Sequence, residues 1–208
     1  MSVEIVQRQL EKYQCQTPLD EENAIKEITQ EIALMALSRT GFFRIAEFHG
    51  GTALRILHGL QRFSEDLDFA LFKPEKNFDW QNYFLAIETE LKIYGYNVEL
   101  QDRSITNQTV KKAFLKDNSV GKVLILQYPE IFHTQKKIRI KLEIDTNPPL
   151  GAISELKYLS FPLSFSVIAQ DLSSSFAGKI HALLCRNYLK GRDWYDFVWY
   201  AGQRVNIN

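Results

Sequence analysis

Two cysteines, Cys15 and Cys185, are all that 208 residues contain, and no motif spacing relates them. That leaves no disulfide framework to read and points to a reduced, cytoplasmic protein. Long apolar runs are missing too, so no segment reaches membrane-spanning length, and the opening MSVEIVQRQLEKYQC is too polar for a signal peptide. Net charge is absent: 25 Lys and Arg balance 25 Asp and Glu. No global basic field announces nucleic acid, and any grip on RNA has to come from a local patch. There is no internal repeat, no low-complexity tract and no long polar linker. What is present is ordinary globular composition, 45% hydrophobic and 24% charged, sufficient for one substantial core. One domain over residues 1–208 is expected, with a sheet core over about 20–150 and a helical part over 151–208 packed on it.

The informative stretch runs from His49 to Phe72, HGGTALRILHGLQRFSEDLDFALF. In LDFALF the β-preferring residues suggest a strand, where side chains two apart share a face, so Asp66 and Asp68 converge on one point. Two adjacent carboxylates repel, and a hard cation such as Mg²⁺ relieves that repulsion. Leu67 and Phe69 face the core on the other side. Upstream, Gly50 and Gly51 remove the Cβ atoms that keep backbone from a ligand. Thr52 opens the helix TALRILHG, whose free N–H groups suit phosphate oxygens, and Arg55 follows one turn on. Either half alone is common surface or turn chemistry. Together they describe a nucleoside triphosphate with its magnesium.

The order Gly-Gly-Thr, thirteen residues, then Asp-Leu-Asp resembles the signature of the DNA polymerase β-like nucleotidyltransferases. The fuller GGTALRILHGLQRFSEDLDFAL, with RFSEDLDF its most specific part, is similar to the AbiEii/AbiGii toxin family. The likeness continues through KLEID, AGKIHALLCRN and GRDWYDF, over about residues 20 to 201. It implies an α+β fold, a polymerase β-like mixed β-sheet flanked by α-helices. It further implies transfer of a nucleoside monophosphate from an NTP to a hydroxyl of RNA, in particular the tRNA 3′ end. The setting would be a toxin-antitoxin or phage-defence system with a cognate antitoxin as partner. Two Mg²⁺ ions are the expected cofactors, with Mn²⁺ as the alternative.

Elsewhere, residues 20–38 carry Ile25, Ile28, Ile32 and Met35 at helical spacing, Gly41 closes that helix, and FFRIAEF reads as a strand leading to the glycine pair. His49 borders that turn and is left without a role. Trp80 to Tyr94 reads as a helix, NVELQDRS as a strand, and Asn107 to Asn118 as a loop or short helix whose Lys111, Lys112 and Lys116 could touch RNA, although a solvated surface is the commoner case. VGKVLILQYPE and KKIRIKLEIDT read as two strands. In the second, Ile138, Ile140, Leu142 and Ile144 share one face and Arg139, Lys141, Glu143 and Asp145 the other. On its own that alternation is a solvent-exposed sheet. The resemblance calls for a third carboxylate here, to hold the second ion and help deprotonate the acceptor; Glu143 is the first choice and Asp145 the alternative.

Tyr158 to Ala169 looks extended. From Asp171 a capped helix runs toward Gly191. Its Lys179 would by itself be a surface residue, and the resemblance makes it the cation that reaches the triphosphate. Asp193 and Asp196 fall one turn apart; Asp193 reads equally as a helix cap, and Asp196 better matches the family's last acidic motif as a nucleotide-site residue. The family's members commonly continue through further C-terminal helices, which leaves the acceptor open. Two other readings stand beside this one: a phosphotransferase moving the γ-phosphate onto a protein or RNA hydroxyl, and a non-catalytic NTP-binding or protein-binding module.

Overall fold

The computed structural model describes residues 2–101, 119–127, 137–186, 188 and 190–208. The lysine-bearing segment 107–118 and the strand connection 131–135 lie outside these described residues. The architecture is α+β. A seven-stranded mixed sheet runs in the order β3-β4-β5-β2-β1-β7-β6, with β1 at Ala46–His49, β2 at Asp66–Leu71, β3 at Asn97–Gln101, β4 at Ser119–Gln127, β5 at Lys137–Asp145, β6 at Ser154–Leu159 and β7 at Phe165–Gln170. β2 lies parallel to β5 and β1 parallel to β7; the other pairs are antiparallel. Helices α1 (Ser2–Lys12), α2 (Pro18–Arg39), α3 (Gly50–His58), α4 (Gln81–Ile93), α5 (Leu172–Cys185) and α6 (Gly191–Gly202) flank it.

One face of the sheet is covered by α2 and α4. The α2 helix starts on a capping box: Asp20 N–H donates to Thr17 Oγ1 at 3.2 Å and Thr17 N–H to Asp20 Oδ2 at 2.9 Å, with Pro18 at the first helical position. Its Ile25, Ile28, Ile32 and Met35 are buried against Leu67 and Phe69 of β2 and Ile140, Leu142 and Ile144 of β5 in one core cluster. Full burial of side chains of this size is worth roughly 1.5–3 kcal/mol each, so this layer fixes which face of β2 and β5 is left for polar groups.

The sequence reading and the structure differ at three places. FFRIAEF is not one strand: Phe42–Arg44 form a 3₁₀ turn and β1 begins at Ala46. Gly41, at φ +77°, turns the chain just before Phe42, and Phe42 and Phe43 are both buried from that turn; Phe42 stacks on Trp80 at 5.5 Å and meets Phe69 edge-on at 4.9 Å. Residues 151–208 are not all helical either, because β6 and β7 extend the same sheet at its far edge. The helix capped by Asp171 ends at Cys185, and Gly191 starts α6 rather than ending α5. Helices α5 and α6 pack against α3 around a second small core of Leu54, Leu60, Phe176 and Tyr200. That contact brings the C-terminal helices to the polar side of β2.

Candidate active site

The site is built where β1 ends, α3 begins and β2 passes alongside. His49 of β1 pairs in register with Asp68 of β2, and Asp68 in turn sits beside Glu143 of the parallel β5. Because Leu67 and Phe69 are committed to the core, Asp66 and Asp68 both point to the opposite face, as do Lys141, Glu143 and Asp145.

Gly50 turns the chain above these carboxylates with φ +83°, a backbone state that favours glycine, and a Cβ there would overlap the Asp68 carboxyl group. A Cβ on Gly51 would stand 2.8 Å from Arg62 Nη2 and 2.9 Å from Ser64 Oγ. The turn is therefore packed against Asp68 on one side and Arg62 on the other. The first N–H groups of α3 lack intrahelical partners and carry the positive end of its dipole, a combination suited to phosphate oxygens. The Thr52 hydroxyl donates to the backbone carbonyl of Asp66, which ties α3 to β2 and leaves only the Thr52 N–H for a ligand.

Charge accumulates on the acidic face. Burial, reinforced by the neighbouring Asp66 carboxylate, pushes the Asp68 carboxyl up to about 6, against the pull of Lys141, Arg192 and Lys179. Burial also raises the Glu143 carboxyl, with Asp68 and Asp66 adding to the shift and its ion pair with Lys141 opposing it. Burial pulls His49 down, so this ring is neutral at physiological pH. Asp145 lies one pleat beyond Glu143, beside Ala70, and accepts the Asn147 N–H at 2.8 Å.

The third wall comes from the C-terminal helices. Lys179 of α5 reaches Asp193 Oδ1 at 3.1 Å and Asp196 Oδ2 at 2.9 Å, both from α6 and both buried. Arg62 grips Asp196 with two parallel bonds, Nε to Oδ1 at 2.7 Å and Nη2 to Oδ2 at 2.6 Å. Burial tends to raise the Asp193 carboxyl, but Lys179 and Arg186 outweigh it and hold it below the ordinary range. Arg192 approaches Asp66 at 3.8 Å. The fork from Arg62 to Asp196 thus links the glycine turn to the helix pair that carries Lys179.

Of the residues singled out in the sequence, Gly50, Gly51, Asp66, Asp68 and Glu143 come together on one face, and Lys179 with Asp196 joins them through Arg62. Arg55 does not join them. Its guanidinium pairs with Glu27 at 2.8 Å, donates to the Leu60 and Gln61 carbonyls and lies 4.3 Å over the Phe63 ring. A residue one turn into α3 faces back onto α2, not forward onto the turn. Asp193 is not a helix cap: Lys190 occupies that position, and Asp193 serves as a buried partner for Lys179 and Arg186. Arg62, Ser64, Lys141 and Arg192 were missed. Arg62 and Ser64 stand inside RFSEDLDF, the most specific string in the chain, and that was the signal for them.

Among the described residues, no group of three or more His, Cys, Asp or Glu side chains is gathered closely enough to hold a metal ion. The donor chemistry nevertheless suits a hard divalent cation: Asp66 and Asp68 present carboxylate oxygens two residues apart on the same face of β2. Among the described residues no helix is long and apolar enough to cross a membrane.

The α+β fold is that of a nucleotidyltransferase. Among solved structures, a candidate nucleotidyltransferase from H. pylori superposes with a TM-score of 0.60 at 19% identity, covering 85% of this chain and 67% of that one. JHP933 from Helicobacter pylori superposes with a TM-score of 0.58 at 20% identity, covering 88% and 67%. A comparison with curated proteins returned no match. Residues 32–208 match the family described as nucleotidyl transferase AbiEii toxin, type IV toxin-antitoxin system, and the chain belongs to that family.

Proposed function

We propose that this nucleotidyltransferase moves a nucleoside monophosphate from an NTP to a hydroxyl of RNA, the tRNA 3′ end being the acceptor, with release of pyrophosphate. The setting is the cytoplasm, and a cognate antitoxin holds the enzyme in check. The observation that carries this reading is the register of β2 and β5, which sets Glu143 beside Asp68 beneath a glycine turn that has no room for a side chain.

The roles follow from the placement. The N–H groups of Gly50, Gly51 and Thr52 receive phosphate oxygens at the start of α3. Lys179 and Arg62 set positive charge on the side where pyrophosphate departs, and Asp193 and Asp196 hold Lys179 there. Asp66 and Asp68 would hold Mg²⁺, or Mn²⁺ in its place, and Glu143 would complete a set for two ions on release from Lys141. Bound there, the metal supplies charge neutralisation and polarisation of phosphate oxygens. Glu143, whose proton affinity is raised by burial, accepts the proton of the acceptor hydroxyl. Asp145 is assigned no catalytic part, since in the strand register it stands beside Ala70, one pleat beyond the Asp68–Glu143 pair.

The test is incubation of the purified protein with Mg²⁺, total cellular RNA and each NTP labelled at the α or the γ position, against Asp66→Asn. Label from the α position in a discrete RNA band, absent with the variant, is expected. Label from the γ position alone would replace this reading with phosphotransfer, and intact NTP binding with no label would leave a binding module.

A further inference from the structure

The balanced charge of the whole chain conceals a strong local imbalance. Residues 172–208 hold five basic side chains, Lys179, Arg186, Lys190, Arg192 and Arg204, and only two acids, Asp193 and Asp196. Both acids are out of solvent, at 1% and 0% exposure, and both are paired with Lys179. The outer surface of the α5–α6 pair therefore displays positive charge with no exposed carboxylate to offset it. Interleaved with the cations at the α5–α6 junction are aromatic rings that the fold does not bury: Tyr188 is 78% exposed, Trp194 51% and Tyr195 46%. On α6, Tyr195 stands one helical turn from Arg192, and Arg192 reaches toward Asp66 in the acidic site.

Building on the function proposed above, we infer that the α5–α6 junction is the docking surface for the single-stranded end of the acceptor RNA. Lys190 and Arg192 take its phosphates, while Tyr188, Trp194 and Tyr195 stack its bases. Cations beside exposed π-faces match what an unpaired strand offers, charged phosphates and bases free of partners. A duplex offers no unstacked base, and an acidic protein surface gains little from the rings. Arg192 sets the direction: a strand held along the junction runs from Tyr188 toward Asp66 and Asp68, where its terminal hydroxyl is needed. The strand passes on the outer side of α6, while Asp193 and Asp196 on the inner side keep Lys179 in place.

The test is fluorescence anisotropy of the full chain with a labelled RNA hairpin bearing a short single-stranded 3′ extension, and with a blunt hairpin, without NTP. Tyr188→Ala and Tyr195→Ala, both at exposed positions, should each weaken binding of the extended hairpin about fivefold or more and leave the blunt hairpin unaffected. Lys190→Gln should flatten the salt dependence of log affinity by about 0.7. Wild-type affinity and salt dependence in all three variants would overturn the inference. So would loss of self-association or of antitoxin binding with RNA binding unchanged, which would make this face a protein interface. Transfer of α-label by the wild-type chain, measured in parallel, separates the two readings. Transfer with normal RNA binding by the variants defeats only the docking surface; binding that depends on the junction, without transfer, defeats only the proposed reaction.

Discussion

Replacing Asp68 by Asn should make the metal-free protein more stable and, at the same time, inactive. The Asp68 carboxyl is pushed up to about 6 from an ordinary 3.8 by burial and by Asp66, so the folded chain binds this proton more tightly than the unfolded chain does. Wild-type stability thus includes a contribution that is fully present below pH 4 and is lost as the pH rises to about 6. The difference between the two values corresponds to roughly 3 kcal/mol at neutral pH and above. Asparagine carries no charge at any pH and escapes the loss. Urea denaturation of both proteins in EDTA should give matching stabilities at pH 4 and a gain of about 2–3 kcal/mol for the variant at pH 8. Mg²⁺ should then narrow that gap: an ion at 100 times its dissociation constant stabilises the wild type by about 2.7 kcal/mol, and the variant by less. A variant less stable than wild type at pH 8, or a difference that does not change between pH 4 and pH 8, would refute the electrostatic reasoning.

Other perturbations probe the surrounding frame. Arg62→Met breaks the bidentate bond to fully buried Asp196 and should cost about 2 kcal/mol by urea denaturation. This is below the roughly 3–5 kcal/mol typical of a broken buried pair, because Lys179 remains 2.9 Å from Asp196. A loss under about 0.5 kcal/mol would show that the fork contributes little. Gly50→Ala forces a side chain into the left-handed region and into the Asp68 carboxylate, so it should destabilise by about 1–3 kcal/mol and abolish nucleotide binding by calorimetry. Near-normal stability would mean the turn can relax. Arg55→Met should lower the melting temperature by about 3–6 °C through lost contacts with Glu27, Leu60 and Gln61, with NTP affinity unchanged. Loss of NTP affinity without a change in melting temperature would return Arg55 to the nucleotide site.

The sequence by itself determined the parts whose physics is local. Alternation along DLDFAL puts both aspartates on one face whatever surrounds the strand, and the Gly-Gly pair admits a turn at His49 that other residues would resist. The same period separates Ile140, Leu142 and Ile144 from Lys141, Glu143 and Asp145 on β5, and helical spacing marks α2 and α4. Which carboxylate of β5 meets Asp68 was not local. Glu143 and Asp145 share a face, and only the pairing register of two strands some seventy residues apart places Glu143 beside Asp68. Interstrand register is set by packing of both core faces on α2, which no single segment contains. The same holds for the long-range ion pairs. Arg55 and Arg62 are both arginines near the glycine turn; α2 supplies Glu27 for the first, and α6 supplies buried Asp196 for the second. A buried charge takes whichever partner the fold brings within reach, so tertiary packing alone decided that Arg62, and not Arg55, joins the site.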